Sequence, residues 1–487
     1  MVALKNMGWI SEFGTRKHGE NDKKTNNLGI LSFETAKTMS KLVSLYKSLS
    51  HREISRLTNE VMRSQGIAYL NSMDKGLLLG LACAERLQDL DKTATAVTRL
   101  GQKCRDFGLT GFDLVYTDLK LGIIDLRKLV YGSKGIEKRV EKMEKLIAAT
   151  ASLYSSLEAL TELEMSERKM NRWKDKGPLM QNKPNLKLFK QKLDQQRKQV
   201  HHFREISLWS QTFDKSVDLM ARVVCFVYAR ICVVFGPYVP FISSVSLRNM
   251  RPLHPKNIVR VSPVLCMIDR PMKDQIYAHS EPIPTTLSVS NYKPSMVQFY
   301  SSKSIFFLNE DDDLGARKAS KNNRLFHAAG PSTVGGSGLA LRYANVILLA
   351  EKCLDSAESL DPYMRESLYQ MLPENIKHLV KSKLSKNMKG TEGDELLAEG
   401  WTEALKDIME WLTPMAHDTL QWHLERNPEK MKFYSKPTVL LLQTLHFSDQ
   451  EKTEAAIAEV LVSLSCIFKH RNCSPCQSSR RLYRQKS

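Results

Sequence analysis

The stretch from Ile136 to Leu157, IEKRVEKMEKLIAATASLYSSL, sets Ile136, Met143, Thr150 and Leu157 seven residues apart and interleaves Val140, Ile147 and Tyr154. A seam with this period keeps one apolar stripe along a long helix, the pattern of a helix packed lengthwise on another. Breakers follow at Gly177-Pro178 and Pro184, and a second such run carries Leu186, Phe189, Leu193, Val200 and Phe203. Two long helices joined by a short link fold back most simply as an antiparallel hairpin. Thr150 and Gln196 interrupt the seam, which suits an intramolecular bundle better than a long dimeric rod. The second helix is expected to run on through Leu208 and Trp209 into an apolar helix ending near residue 235.

Upstream, helical spacing of three and four links Leu28, Leu31, Met39, Leu42, Tyr46 and Leu49. Ser50 and Glu53 form a Ser-x-x-Glu capping box ahead of Ile54, Leu57, Val61 and Met62, and Gly66 is read as the end of that helix. A longer stripe runs through Leu77, Leu81, Ala84, Leu87, Leu90, Ala94, Val97, Leu100 and Cys104, ending near Phe107-Gly108. Residues 1–26 are polar and read as a mobile arm.

Downstream the pattern changes. Prolines recur from Pro252 to Pro294, and no helical face persists over residues 243–332, which read as a flexible linker. Helices resume at Thr333. Leu339 to Leu354 is rich in Ala and Leu, and Asp361-Pro362 pairs a cap with a first-turn proline. Pro373 opens a helix with Ile376, Leu379, Val380 and Leu384 inward, and Thr413-Pro414 repeats the cap-then-proline device before Trp422. A helix over Ala455 to Phe468 precedes a basic tail, residues 471–487, expected to be disordered. The fold class is therefore all-α. Two helical-bundle domains, 27–242 with the hairpin over about 136–235 and 333–470, are joined by a largely disordered linker.

Composition narrows the class further. The 487 residues hold 72 Lys and Arg against 53 Asp and Glu, a net charge of +19 and a pI near 9.4. Hydrophobic residues at 42% exclude a wholly disordered chain, and 23 Gly with 18 Pro exclude collagen-like classes. Nine scattered Cys suit a reducing compartment. Met1 to Ile10 contains no secretory signal, and Val2 stands where N-myristoylation needs glycine, so that modification is not supported. Leu219 to Ile242 is the most membrane-like stretch, but Arg222, Arg230, Gly236, Pro237 and Pro240 interrupt it, so a core helix rather than a transmembrane segment is expected. The expected location is intracellular, in the nucleus, the cytoplasm or both, with peripheral plasma-membrane association as a further option.

Few motifs point to chemistry. Thr333-Val334-Gly335-Gly336-Ser337-Gly338 lacks the third Rossmann glycine, the P-loop Lys and a preceding strand, so it reads as a flexible entry into a tightly packed helix. Cys466, His470, Cys473 and Cys476 contain a lone CxxC with no second ligand pair, too little for zinc. Cys225 and Cys232 lie one heptad apart in an apolar helix and read as packing residues. His417 and His423, six apart, fall on different helical faces, and the adjacent His201 and His202 point apart. No catalytic residue, cofactor or metal is expected.

The strongest physical signal is basic. Arg168, Lys169, Arg172, Lys174, Lys176, Lys183, Lys187, Lys190, Lys192, Arg197, Lys198 and Arg204 stand against only Glu167, Asp175 and Asp194 between residues 167 and 204. On a helix they make a positive face for anionic lipid headgroups or phosphates, set against a solvated hairpin tip whose charges serve solubility. Arg317-Lys318-Ala319-Ser320 fits a basophilic kinase site, with Ser320 as acceptor.

Four phrases carry a family likeness. Leu28-Gly29-Ile30-Leu31-Ser32-Phe33-Glu34-Thr35-Ala36 resembles the opening of a plant domain of unknown function. Gly338-Leu339-Ala340-Leu341-Arg342-Tyr343-Ala344-Asn345-Val346-Ile347 resembles the start of a second one, and Leu368 to Lys377 its later phrase. Leu208-Trp209-Ser210-Gln211-Thr212-Phe213-Asp214 fits between them. Together they resemble the plant PSK SIMULATOR family and its shorter relatives. That resemblance implies growth promotion connected with phytosulfokine peptide-hormone signalling, nuclear or plasma-membrane association, N-terminal myristoylation in several members, and no enzymatic activity. The expected function is a non-enzymatic helical adaptor or regulator in plant growth signalling, with unidentified protein partners and inner-leaflet anionic lipid as a candidate partner. The alternatives are a basic nuclear protein associating with nucleic acid and a peripheral membrane scaffold.

Overall fold

In the computed structural model, which describes residues 27–126, 135–174, 183–239, 325, 328–355, 362–387, 395–427, 433 and 436–484, the apolar stripes close into helices. The arm over 1–26, residues 243–324 of the linker, Lys176 and Ser320 lie outside these residues. The fold is all-α. Among the described residues the only β contacts are two isolated bridges, Asn27 with Thr212 and Thr333 with Asp449.

The first half builds around α1 (Ser32–Ser48), α2 (His51–Asn59), α3 (Gln65–Leu70), α4 (Lys75–Gly101) and α5 (Phe112–Lys120). Ser50 caps α2 by accepting from the Glu53 amide at 3.4 Å, and Asp74 caps α4 through the Gly76 amide at 2.7 Å. Gly66 does not end a helix. It lies in α3, where a Cβ would stand 2.8 Å from the Trp411 carbonyl oxygen and 2.7 Å from Met415 Sδ, so glycine permits a close helix crossing. In the first turns of α4 the inward residues are Leu78, Ala82 and Cys83, while Leu77 is exposed and Leu81 is only partly buried. The expected stripe was one position out of phase there, because α4 is covered on several sides and its charged Glu85 and Arg86 are buried too.

The hairpin is present as α6 (Ile136–Lys174) and α7 (Lys183–Ile206). The Leu208 amide just past α7 donates to the Thr150 hydroxyl at 3.2 Å and Gln196 donates to the Ser156 carbonyl at 2.9 Å, so paired residues have numbers rising on one helix as they fall on the other. That register is antiparallel. At the base, Leu153 and Val200 pack with Phe33 of α1, flanked by Tyr154, Leu157, Phe203 and Trp209. The helix does not continue into the next one: Ser207 accepts from the Trp209 amide at 3.3 Å, residues 208–210 form a 3-10 turn, and α8 (Phe213–Phe235) starts afresh. A serine that binds its own backbone gives the chain an alternative to helix.

α8 lies against α4 and α1. It is long and apolar enough to cross a membrane, yet 67% of its most apolar window is buried within the protein. Arg222 pairs with Asp218 at 2.9 Å and Arg230 donates to the Leu49 carbonyl at 3.4 Å, so both arginines are satisfied in place. Cys225 and Cys232 are buried, and loss of water pushes both thiols up to about 12, as packing residues require.

The second half comprises α9 (Ala340–Asp355), α10 (Pro362–Met371), α11 (Glu374–Asn387), α12 (Glu395–Arg426) and α13 (Gln450–Arg484). Thr413-Pro414 does not start a helix, because α12 runs through Pro414. Proline forfeits one backbone bond, but Leu412, Met415 and Ala416 around it are buried and hold the helix on both sides. Leu379 of α11 faces solvent rather than inward. α13 extends to Arg484, so the backbone of 471–484 is helical where a disordered tail was expected. Pro475 is the lone breaker in that span, and an existing helix gains a bond with each added residue.

The two helical halves share one hydrophobic core. Leu42, Leu90 and Val224 belong to the same buried cluster as Tyr343, Leu412 and Leu445. The segment that joins them internally is 436–449, an extended strap with 3-10 turns at Leu441–Gln443 and Leu445–Phe447.

Candidate functional site

Two arrangements of polar residues stand out, one exposed and one buried. The exposed one is the hairpin. Its apolar seam is spent on Phe33 and the first bundle, which leaves the remaining faces to water. The antiparallel register brings Arg168, Lys169 and Arg172, in the last turns of α6, alongside Lys187, Lys190 and Lys192 near the start of α7, all exposed. Lys198 is exposed further down. Arg197 is held by Glu164, Glu167 and Asp194 at 3.6–3.7 Å, and the Arg204 guanidinium sits 5.0 Å over the Trp209 ring. These two brace the hairpin itself. Lys174 and Lys183 lie on the helical backbone at the two ends.

The placement of these cations is informative. Cations favour helix C-termini, so Arg168, Lys169 and Arg172 suit the end of α6. The first turn of α7 instead holds Lys183 and no acidic residue, the reverse of what a helix N-terminus favours. Lys187, Lys190 and Lys192 lie beyond that first turn, where the helix dipole no longer bears on them.

The buried arrangement ties the strap to both halves. Glu85 of α4 accepts from Trp422 Nε1 at 2.8 Å, from Arg426 Nη2 at 2.6 Å and from the Leu441 amide at 2.6 Å. Arg426 also meets Asp89 at 3.1 Å, with its guanidinium 4.3 Å over the Trp422 ring. Beside it, Arg86 donates to the Thr438 hydroxyl at 2.7 Å and carbonyl at 3.1 Å. Glu425 accepts from the Val439 amide at 3.0 Å, and Thr419 from the Leu445 amide at 3.0 Å. Burial pushes the Glu85 carboxyl up, reinforced by Asp89, while Arg426, Trp422 and Arg86 oppose it. Burial likewise raises Asp418 to about 6, against its hydrogen bond from Gln443. Sequence reasoning missed this cluster. Its one signal was the adjacent Glu85-Arg86 pair directly after the apolar run Leu77 to Ala84.

The remaining candidates resolve into packing. In the glycine loop, Val334 and Gly335 donate to the Ser448 and His446 carbonyls at 2.9 Å, and Gly336 donates to the Thr333 hydroxyl at 3.1 Å. Ser337, Gly338 and Leu339 donate to carbonyls within the loop. With those amides engaged, the loop offers no anion cradle. A Cβ on Gly335 would overlap the His446 ring and carbonyl, and Gly338 sits at φ +73°, so the glycines serve close approach and a left-handed turn. Among the described residues no group of His, Cys, Asp and Glu has metal-binding geometry. Cys466 is half-buried, and the side chains of His470, Cys473 and Cys476 are outside the description. His417 pairs with Glu351 at 3.1 Å, and His423 lies beside the Trp422 ring with its pKa lowered by burial.

Comparison with known proteins gives the geometry a context. Residues 30–86 match a domain of unknown function, DUF3475, and residues 333–421 match a protein of unknown function, DUF668. The first match ends at Arg86 and the second at Gln421, so the two matched segments meet where Gly66 crosses Trp411 and Met415, while Trp422 and Arg426, the partners of Glu85, lie just beyond the second. Over 454 residues the chain is 26% identical to Protein PSK SIMULATOR 3 of Arabidopsis thaliana, covering 91% of this chain and 56% of that protein. It is 24% identical to Protein PSK SIMULATOR 1 of the same plant over 453 residues, with the same coverage. The chain thus spans little more than half the length of these relatives, and no solved structure matches it.

Proposed function

We propose that this chain, a homologue of the PSK SIMULATOR proteins, is a non-enzymatic helical adaptor in phytosulfokine-related growth signalling. On this reading the fused core is the rigid body and the hairpin is its docking arm. The observation that carries it is the distal end of the hairpin, where two helices present the exposed cations Arg168, Lys169, Arg172, Lys187, Lys190 and Lys192. The proposed surface for them is the anionic inner leaflet, since a Lys or Arg near such a membrane contributes about 1 kcal/mol and needs no shaped pocket. Location at the cytoplasmic face of the plasma membrane is part of the same proposal.

The test is flotation of the full chain with vesicles of neutral lipid alone or with added phosphatidylserine. The chain should float only with the anionic vesicles, and replacing Lys187, Lys190 and Lys192 by Gln should weaken partitioning about a hundredfold at low salt. Equal flotation of the variant would remove the hairpin from the proposal. Tighter, salt-sensitive binding to random duplex DNA than to anionic vesicles would favour the nucleic-acid alternative instead.

A further inference from the structure

A groove of about 420 Å³ lies between α10, α11 and α13, on the second half and away from the hairpin. Its walls are Leu368 and Leu372 from α10, Val380 and Leu384 from α11, and Leu464 and Phe468 from α13. Each helix contributes residues at helical spacing, so three apolar stripes converge without filling the space between them. A volume of this size is that of a small-molecule site, which is usually apolar with a few placed polar groups.

The polar groups here are of one sign. Lys377 and Lys381, one turn apart on α11, and Lys469 on α13 line the groove, and no Asp or Glu does. Lys377 is engaged, with its Nζ 2.8 Å from Glu374 and 4.9 Å over the Tyr369 ring. Lys381 and Lys469 are exposed, and among the described residues neither has a carboxylate at ion-pair distance. The Ser465 hydroxyl is committed to the Leu461 carbonyl at 2.8 Å. A neutral polar ligand therefore finds few partners, and an alkyl cation is repelled. A ligand with a long apolar body and one anionic end satisfies both the walls and the lysines.

We propose that the groove binds a free fatty acid, its chain along the leucine walls and its carboxylate at Lys381 and Lys469. This is independent of the hairpin reading. Titration of the full chain with decanoate, dodecanoate and tetradecanoate, each below its micelle concentration, tests it by calorimetry. Affinity should rise about fourfold for each methylene added until the groove is full. Dodecyltrimethylammonium should bind far more weakly than dodecanoate. The double variant Lys381→Gln/Lys469→Gln should lose about tenfold in dodecanoate affinity, the range of charge-assisted hydrogen bonds at an open site. Because Ser465 is exposed, Ser465→Trp should block the groove while leaving the helical circular dichroism and melting curve unchanged. Absence of dodecanoate binding, equal affinity for the alkyl cation, or full affinity in a folded Ser465→Trp protein would overturn the proposal.

Discussion

Glu85→Gln probes the joint between the two halves with the smallest change of shape. In the native protein both Glu85 oxygens are engaged, one by Arg426 and Trp422 and the other by the Leu441 amide. The amide can turn its oxygen to only one of these sets and must set its own N–H groups against donors on the other. Glu85 is 4% exposed, so water cannot repair the mismatch. Removing one partner from a buried ion pair costs about 3–5 kcal/mol, much of it from the charge left behind. Asp89, 3.1 Å from Arg426, holds part of that charge, so the lower end, about 3 kcal/mol, is expected. For a unit of this size that is a fall of roughly 3–5 °C in Tm.

The control is the double variant Glu85→Leu/Arg426→Met. It removes both charges and keeps apolar bulk against Trp422, and such replacements of buried pairs are often close to neutral. It should therefore be more stable than Glu85→Gln, with a coupling energy of about 1.5 kcal/mol or more in a double-mutant cycle read by urea denaturation. A Glu85→Gln protein within about 0.5 kcal/mol of the parent would refute the reasoning. So would a double variant that costs the plain sum of its singles.

Three further outcomes follow from the same structure. Cleavage at a protease site inserted between residues 250 and 320 should leave two fragments that co-migrate on gel filtration until denaturant is added, because both halves supply the same core. Gly335→Ala should destabilise by about 2–3 kcal/mol through overlap with buried His446, whereas Gly338→Ala, with open space around it, should cost only the left-handed penalty of about 1–2 kcal/mol in thermal melts. Asp418 titrates near 6 in the folded protein and near 3.8 in the unfolded chain, so the folded state holds the proton more tightly. Stability should then fall as pH rises from about 4 to about 6, and Asp418→Asn should gain on the parent over that window by on the order of 1–2 kcal/mol, read as the difference in Tm at the two ends.

Where a single face decides burial, the sequence was legible. Ile136, Val140, Met143 and Ile147 are all buried as the seven-residue seam requires, and the hairpin follows from them. The Ser50 cap held because its hydrogen bond is local. Where burial depends on distant partners, periodicity failed. α4 is enclosed by α8, α1 and the strap, so no one stripe describes it, and Leu77 came out exposed while Glu85 went in. The strap itself carries Leu440, Leu441, Leu442 and Leu445 without either helical or strand spacing. Its backbone bonds go instead to Glu85, Glu425 and Thr419, residues remote in sequence. Gly66 misled for a related reason: it marks close approach to Met415, as Gly335 does to His446, which no local pattern records.

Charge is used in two opposite ways in this chain, and the contrast bears on the adaptor reading. Glu85 and Arg86 are buried and bonded to backbone, and the half-buried Arg426 pairs with both Glu85 and Asp89. Such a cluster adds little net stability over a well-packed apolar core, but it penalises any arrangement in which one half of the protein moves away from the other. At the hairpin tip, cations of one sign face water, where pairing would neutralise the field they project. An arm can transmit the position of a bound surface only if the body beneath it is rigid, and the buried cluster supplies that rigidity. Loosening the cluster with Glu85→Gln should therefore leave vesicle binding by the hairpin intact, because the arm's own braces, Arg197 with Glu164 and Glu167 and the Phe33–Leu153–Val200 base, lie outside it. If flotation and stability fell together, the arm and the clamp would be one device, and the separation drawn between them would fail.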